Sequence, residues 1–241
     1  MPPPPPSLPL TPSLPACGRV HVLVASPGGA AAGTADEPAR RLLALALPAA
    51  EELHRLAGDP GLSVLLADAE GLVLGVVGSL DIAHRSLRLQ PLTRPMRSPP
   101  QRLCLTEPIA ATPHGLLAIA SASAHRAHGG LGALRALLET TAALIEHHLA
   151  AQAPGACFAL HLHPRAELLG TPLEGLAVFD ASGHLLASNR TARQWLAADT
   201  TRPWSQRALR QLARSPAGVA LSLRARDGRP LAAIARLLPA R

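Results

Sequence analysis

The side chains best suited to chemistry in this chain are a cysteine and several histidines. Cys104 and His114 lie on one predicted β-hairpin, where a thiolate–imidazole pair could act in nucleophilic catalysis. Such a pair needs a third group that orients the imidazole and donors that stabilise an oxyanion. The sequence shows neither, and it contains no G-x-S-x-G elbow. We therefore predict a small buried thiol at Cys104, no catalytic residue and no enzymatic activity.

A second cluster of chemically capable residues is histidine-rich. His161 and His163 share one face of a predicted strand, and His147 and His148 precede them closely in the chain. This spacing is compatible with a metal site in principle. However, no Asp or Cys completes it at the usual spacing, and Pro164 ends the strand at once. The prediction is ordinary solvated or hydrogen-bonded histidines, with no metal and no cofactor.

Nucleotide and nucleic-acid sites are also disfavoured. A glycine cluster at 129–132 follows a strand and opens a helix, but the third glycine of a dinucleotide fingerprint falls on Arg135. All 23 basic residues are arginines, and the absence of lysine excludes a Walker-type phosphate loop. The net charge of +7 is spread along the chain, and only 2% of residues are aromatic. We expect no direct nucleic-acid binding, and we interpret the stripe of Arg207, Arg210 and Arg214 as a solvated helix face.

Composition also limits the core and the compartment. The chain has 241 residues, of which 48% are hydrophobic, and it contains no Tyr, so the core must consist mainly of Leu, Ala and Val. The three cysteines are far apart and predict reduced thiols in a cytoplasmic protein. No apolar run approaches the roughly 18–20 residues of a membrane span, so no membrane partner is expected.

The elements that must position these residues begin with two similar hairpins. An apolar run breaks at Asp68-Ala69-Glu70-Gly71 and resumes, and the pattern recurs at Asp180-Ala181-Ser182-Gly183. Asp can hydrogen-bond the turn backbone, and Gly accepts the positive φ that a tight turn requires. We predict strands at about 62–68 and 72–78, and a second hairpin over residues 175–186.

Two long helices are predicted before residue 154. The first runs from Asp36 to about Gly58, and Pro48 should kink or split it. The second, Gly130 to Ala151, has apolar residues at steps of three and four. Its Leu137 and Leu144 widen the apolar face enough to suggest pairing with the same helix of another subunit.

The remaining predicted elements are shorter. We expect a Pro- and Arg-rich loop over 80–101, a hairpin at 103–109 and 116–121, a connecting strand at 156–162, short helices at 189–197 and 203–213, and a closing hairpin at 219–223 and 231–234. Residues 1–33 are Pro-, Gly- and Ala-rich, which predicts a disordered tail with at most a short strand at 20–24.

The order of these motifs resembles the sensory region of sigma-54-dependent transcriptional activators of the acetoin-catabolism regulator type. Residues 61–74, GLSVLLADAEGLVL, resemble the start of the GAF domain in that family, and residues 104–109 followed by 115–119 resemble its closing hairpin. Residues 163–172, HPRAELLGTP, are similar to the GAF–PAS linker, and residues 176–196 are similar to the PAS opening. Residues 80–101 replace a longer middle section of the family's GAF domain, and the family's ATPase and helix-turn-helix modules have no counterpart here.

The resemblance implies an α+β fold: an abbreviated GAF-like antiparallel sheet with flanking helices, followed by a PAS-like α+β domain. The domains would be residues 1–33 as a tail, 34–153 as the GAF-like domain and 154–241 as the PAS-like domain. A small-molecule metabolite would bind the sheet face under the loop 80–101. The expected ligand-binding residues there are Leu65, Val76, Cys104 and Ile119.

Two functions follow from this interpretation. The first is a non-enzymatic, signal-sensing module of bacterial transcription control, in which a ligand or partner regulator changes a helix-mediated homodimer. The alternative is a ligand-free truncated scaffold that binds a full-length activator or another protein through its exposed helices.

Overall fold

Short apolar strands build two separate antiparallel sheets of five strands each. The structure, a computed structural model, describes residues 20–22, 37–59, 61–78, 103–110, 114–121, 130–196, 210 and 221–239. Every strand pairing among them is antiparallel. The predicted α+β class is therefore confirmed, and the architecture is consistent with a GAF-like unit followed by a PAS-like unit.

The first sheet has the order β1-β3-β2-β5-β4. Its strands are β1 (Val20–Val22), β2 (Leu62–Asp68), β3 (Val73–Val77), β4 (Leu103–Ile109) and β5 (Gly115–Ser121). Two helices, α1 (Glu37–Ala57) and α2 (Gly130–Ala151), contact each other and pack on this sheet. Strand β1 lies inside the segment predicted as a tail and pairs with β3 at the sheet edge.

The two faces of the first sheet are both buried. Val64, Leu66 and Ile119 point toward α1 and α2, where they join the leucines and alanines of both helices in the main core. Leu65 and Val76, which pair with each other in register, belong to a second apolar cluster on the opposite face. The near-continuous apolar character of β2 and β5 follows from this double burial, because neither face of these strands meets water.

Helix α1 runs through Pro48 without being split. Proline removes one backbone hydrogen bond and disfavours a helix interior. Here Ala46 and Ala49 flank the proline, and both are buried against the sheet with Leu42 and Leu53. We attribute the continuity of α1 to this packing; of the two effects predicted for Pro48, a kink or a split, the split does not occur.

The second sheet has the order β8-β7-β6-β10-β9. Its strands are β6 (Phe158–His163), β7 (Gly175–Phe179), β8 (Leu185–Ser188), β9 (Leu221–Arg224) and β10 (Pro230–Leu237). A short 3-10 turn (Ala166–Leu168) precedes β7, and the six-residue helix α3 (Arg190–Trp195) follows β8. The segment predicted as a connecting strand is instead the central strand, because β6 pairs with both β7 and β10.

The two Asp–Gly turns have the same geometry. In the first, Asp68 Oδ1 accepts a hydrogen bond from Leu72 N at 2.8 Å, and Gly71 has φ +82°. In the second, Asp180 Oδ1 accepts from His184 N at 2.9 Å, and Gly183 has φ +87°. The backbone amide of His184 is the main cause that lowers the pKa of the Asp180 carboxyl. The predicted turn chemistry is confirmed at both positions.

Other predictions lie outside the described residues. They concern the loop 80–101, the helix 203–213 apart from residue 210, and most of the segment 1–33. Within the described residues, no helix is both long and apolar enough to cross a bilayer.

Candidate functional site

The structure places the four predicted ligand-binding residues on two faces of the first sheet. Leu65 and Val76 are fully buried in the cluster on the face away from the helices, and Cys104 packs against the same cluster. Ile119 is equally buried, but it lies on the opposite face, in the core beneath α1 and α2. The expectation that all four share one face therefore fails at Ile119. Ile119 lies opposite Val64, and the next residue of that strand, Leu65, points to the other side of the sheet.

The register also separates Cys104 from His114. Cys104 lies opposite Ala120, whereas His114 immediately precedes Gly115, which lies opposite Ile109. Cys104 and Ile109 are five residues apart along β4, which corresponds to about 16 Å, and His114 lies one residue beyond Gly115. Burial raises the pKa of the Cys104 thiol, which disfavours the nucleophilic thiolate.

The most unusual group in the described structure is a fully buried carboxylate on α2. Glu146 lies on the same helix stripe as Leu138 and Ala142, and its side chain has no exposed surface. Its Oε1 accepts a hydrogen bond from Ala110 N, just beyond β4, at 2.9 Å. Its Oε2 accepts from Arg190 N, the first residue of α3, at 2.7 Å. One carboxylate thus joins the first sheet, the long helix and the second sheet's short helix.

Two arginines of α3 neutralise this carboxylate. Arg190 Nη2 lies 3.0 Å from Glu146 Oε1, and Arg193 Nη2 lies 3.0 Å from Glu146 Oε2. The Arg190 guanidinium also reaches β4, where Nη1 donates to Glu107 Oε1 at 2.6 Å and Nη2 donates to Pro108 O at 2.9 Å. Burial by itself lowers the pKa of Arg190, but hydrogen bonds to Glu146 and Glu107 outweigh it, so the net shift is upward.

Next to this cluster, Asn189 holds the start of α3 on β7. Its Oδ1 accepts from Ala192 N at 2.9 Å, which caps the helix, and from Leu176 N at 3.0 Å. Its Nδ2 donates to Glu174 O at 2.8 Å. The amide is buried and all three bonds join it to main chain, so it fixes α3 relative to β7.

The network continues into the centre of the second sheet. Glu174, which is 1% exposed, accepts a hydrogen bond from His161 Nδ1 of β6 at 2.6 Å and another from Gly170 N. His161 is therefore a hydrogen-bonded histidine, as predicted. His163 is also hydrogen-bonded, to the backbone of Arg165, and its ring contacts Trp195 edge-on.

His147, beside Glu146 on α2, is a partly buried histidine with an unsatisfied nitrogen. Its Nδ1 is buried and has no hydrogen-bond partner. Burial lowers the pKa of His147, the nearby Glu174 charge opposes this, and His148 and His161 add to the lowering. Within the described residues, no group of three or more His, Cys, Asp or Glu side chains has an arrangement that could hold a metal ion.

Helix α3 can approach β7 closely because Gly175 has no side chain. A Cβ built on Gly175 would lie 3.1 Å from Ala192 Cα and 3.1 Å from Trp195 Cε3. This close approach places Arg190 where it can reach both Glu146 and Glu107.

These hydrogen bonds and ion pairs hold α2, the end of β4 and the start of α3 together. The charges are paired with one another and with backbone groups, so they fix relative position and provide no obvious nucleophile or general base. Sequence reasoning missed Glu107, Glu146, Glu174, Arg190 and Arg193. A signal for Glu146 was available, since it stands eight residues after Leu138 on the apolar stripe of α2, where a charge is unexpected.

No protein-family model and no curated protein matches the sequence. A weak structural similarity relates this chain to a chain in the crystal structure of the E. coli DhaR(N)–DhaL complex. The identity is 14%, the alignment covers 88% of this chain and 92% of that chain, and the TM-score is 0.33. A likeness at this level identifies neither a family nor a function.

Proposed function

We propose that this protein is a non-enzymatic, signal-sensing regulatory module of bacterial transcription control that acts in the cytoplasm. The observation that carries the proposal is the position of α2, which packs on the first sheet and also contacts β7 and β8 of the second. A helix shared in this way can convert a change in one sheet into a movement of the other. The motif order that resembles sigma-54 activator sensory regions supports the same class of function.

The ligand site of this proposal is the face of the first sheet that carries Leu65, Val76 and Cys104. The described side chains on this face are mainly apolar, with the Cys104 thiol and the hydroxyls of Ser63 and Thr106 as its polar groups. Such a lining favours a small, mainly apolar metabolite over a charged one, because a buried charge would lack a partner. Ligand binding would shift the homodimer that α2 forms.

A thermal-shift screen of small carbon metabolites, combined with light scattering after size exclusion, tests this proposal. A binder should raise the melting temperature and change the dimer population. Val76→Ala should abolish the ligand-induced shift. Val64→Ala is the matched control, because Val64 is equally buried in β2 but faces the helices. A monomer that no metabolite stabilises, or equal loss of the shift in both variants, would contradict the proposal.

The second candidate is a ligand-free scaffold that binds a full-length activator or another protein. It is favoured by two exposed leucines on the long helices, Leu56 of α1 (51% exposed) and Leu131 of α2 (46% exposed). Copurification of one defined activator without any ligand response, and its loss in Leu131→Ser, would favour this candidate over the sensor.

A further inference from the structure

We propose that Glu107, Arg190 and Glu146 form a coupling device that links the edge strand of the first sheet to helix α3 of the second. The proposal rests on the sensing function above and specifies how a change at the first sheet reaches the second module. It assigns Arg190 as the connecting residue and the Glu107–Arg190 contact as the part that opens.

The input side of the device is β4. Cys104, on the proposed ligand face, and Glu107, which binds Arg190, lie on this one strand. Among the strands that the structure describes, β4 is an edge strand whose pairing partner is β5. Glu107 and Pro108 O of β4 bind Arg190 of α3, and Ala110 N, just beyond β4, binds Glu146 of α2. A displacement of β4 must therefore stretch these contacts.

The output side is α3. Arg190 is its first residue, and the adjacent Asn189 fixes the same turn to β7. A movement of the Arg190 backbone is thus transmitted to Asn189, and through it to the amides of Leu176 and Ala192. Leu176 lies in β7 and Ala192 lies in α3, and the side chains of both are buried in the apolar clusters of the second sheet.

The two carboxylates differ in how readily they can be released. Glu146 is fully buried, and an uncompensated charge there would be strongly unfavourable, so α2 and α3 should stay joined. Glu107 is 15% exposed and Arg190 is 27% exposed, so water can replace their contact at lower cost. The expected response is that the Glu107 contact opens while the Glu146 contacts hold.

Hydrogen exchange of the full chain without ligand, followed by mass spectrometry, tests the coupling. Glu107→Gln should increase the exchange rate about tenfold in peptides that contain Leu176 and Ala192. This corresponds to a decrease of about 1.4 kcal/mol in the free energy of local opening. Glu139→Gln is the control, because Glu139 also pairs with an arginine but does so on the exposed face of α2. It should leave those peptides unchanged.

The reciprocal variant is Arg190→Lys, which keeps the charge but cannot span both carboxylates with a planar fork. Because coupling is reciprocal, it should increase exchange of the amide of Ala110 in the first module. The proposal would be overturned if, in both variants, the exchange rate in the sheet that does not carry the substitution changed less than twofold. It would also be overturned if exchange accelerated equally throughout both sheets. The exchange experiment uses no metabolite, so it is independent of the thermal-shift screen. If the variants leave exchange across the module boundary unchanged while a metabolite still stabilises the protein, only this inference is rejected. If the variants change that exchange but no metabolite stabilises the protein, only the sensor is rejected.

Discussion

The carboxylate of Glu146 accepts a hydrogen bond from the backbone amide of Arg190 at 2.7 Å, although 44 residues separate them in the chain. This contact connects α2, which lies largely on the first sheet, to the first turn of the helix that packs on the second. The side-chain guanidinium of Arg190 then extends the connection to Glu107 on β4.

Glu146→Ala should lower the free energy of unfolding by about 3–5 kcal/mol, because it leaves two arginines without their buried counterion. Urea unfolding followed by circular dichroism measures the change. Glu139→Ala removes an exposed carboxylate of the same helix and should change stability by less than about 0.5 kcal/mol. Similar losses in the two variants would show that the buried carboxylate has no special role.

Asn189→Ala should destabilise the protein by at least about 2 kcal/mol, because it removes the cap of α3 and leaves Leu176 N and Glu174 O unpaired. The control is Thr140→Ala, whose exposed hydroxyl donates to Ala136 O of its own helix. Thermal unfolding of both variants tests the prediction. A stability equal to that of the unmodified chain would mean that water satisfies the exposed amide and carbonyl.

Gly175→Ala should displace α3, because the new methyl group would lie only 3.1 Å from Ala192 Cα and Trp195 Cε3. In a Trp204→Phe background, the fluorescence of Trp195 should change and the melting temperature should fall. Gly132→Ala should instead raise the stability of the protein by up to about 1 kcal/mol. Nothing lies within 4 Å of a Cβ at this position, and alanine favours a helix more than glycine does. An unchanged Trp195 emission in Gly175→Ala would contradict the close packing of α3.

Stability should fall with decreasing pH as His147 becomes protonated. Burial lowers its folded-state pKa from 6.5, so the unfolded chain binds the proton more readily. The contribution is present above pH 6.5 and is lost as pH decreases from there through the lowered folded-state pKa. His147→Gln should flatten the pH dependence of the melting temperature, whereas His148→Gln should leave most of it, because burial is a larger cause of the lowered His147 pKa than the His148 charge. An identical profile in both variants would assign the effect to another group.

Cys104 should react slowly with iodoacetamide in the folded protein, because burial raises the pKa of its thiol and limits access. Mass spectrometry of tryptic peptides, which are cut only at arginine in this chain, separates Cys104 from Cys157. Denaturation should restore rapid labelling of Cys104. Rapid labelling in the folded state would mean that this part of the sheet face is open to solvent.

Local chemistry explains why much of the fold could be predicted. The Asp68–Gly71 and Asp180–Gly183 turns, the strands around them and the limits of α2 depend on hydrogen bonds and periodicities within a few residues. These signals carry no information about what lies on each side of a sheet. The placement of Ile119 with Leu65 therefore failed, as did the interpretation of residues 156–162 as a connector. The domain boundaries and the metabolite stay predictions.

The amino-acid sequence alone determined the α+β class, the hairpins and the two long helices, because propensity, turn residues and apolar spacing are local properties. Only the tertiary structure decided that Glu146 is buried and that Arg190 bridges it to Glu107 over 83 residues of chain. Pairing of this kind depends on the relative position of two sheets. A charged residue in isolation favours solvent, and only the assembled structure supplies the partner that makes its burial stable.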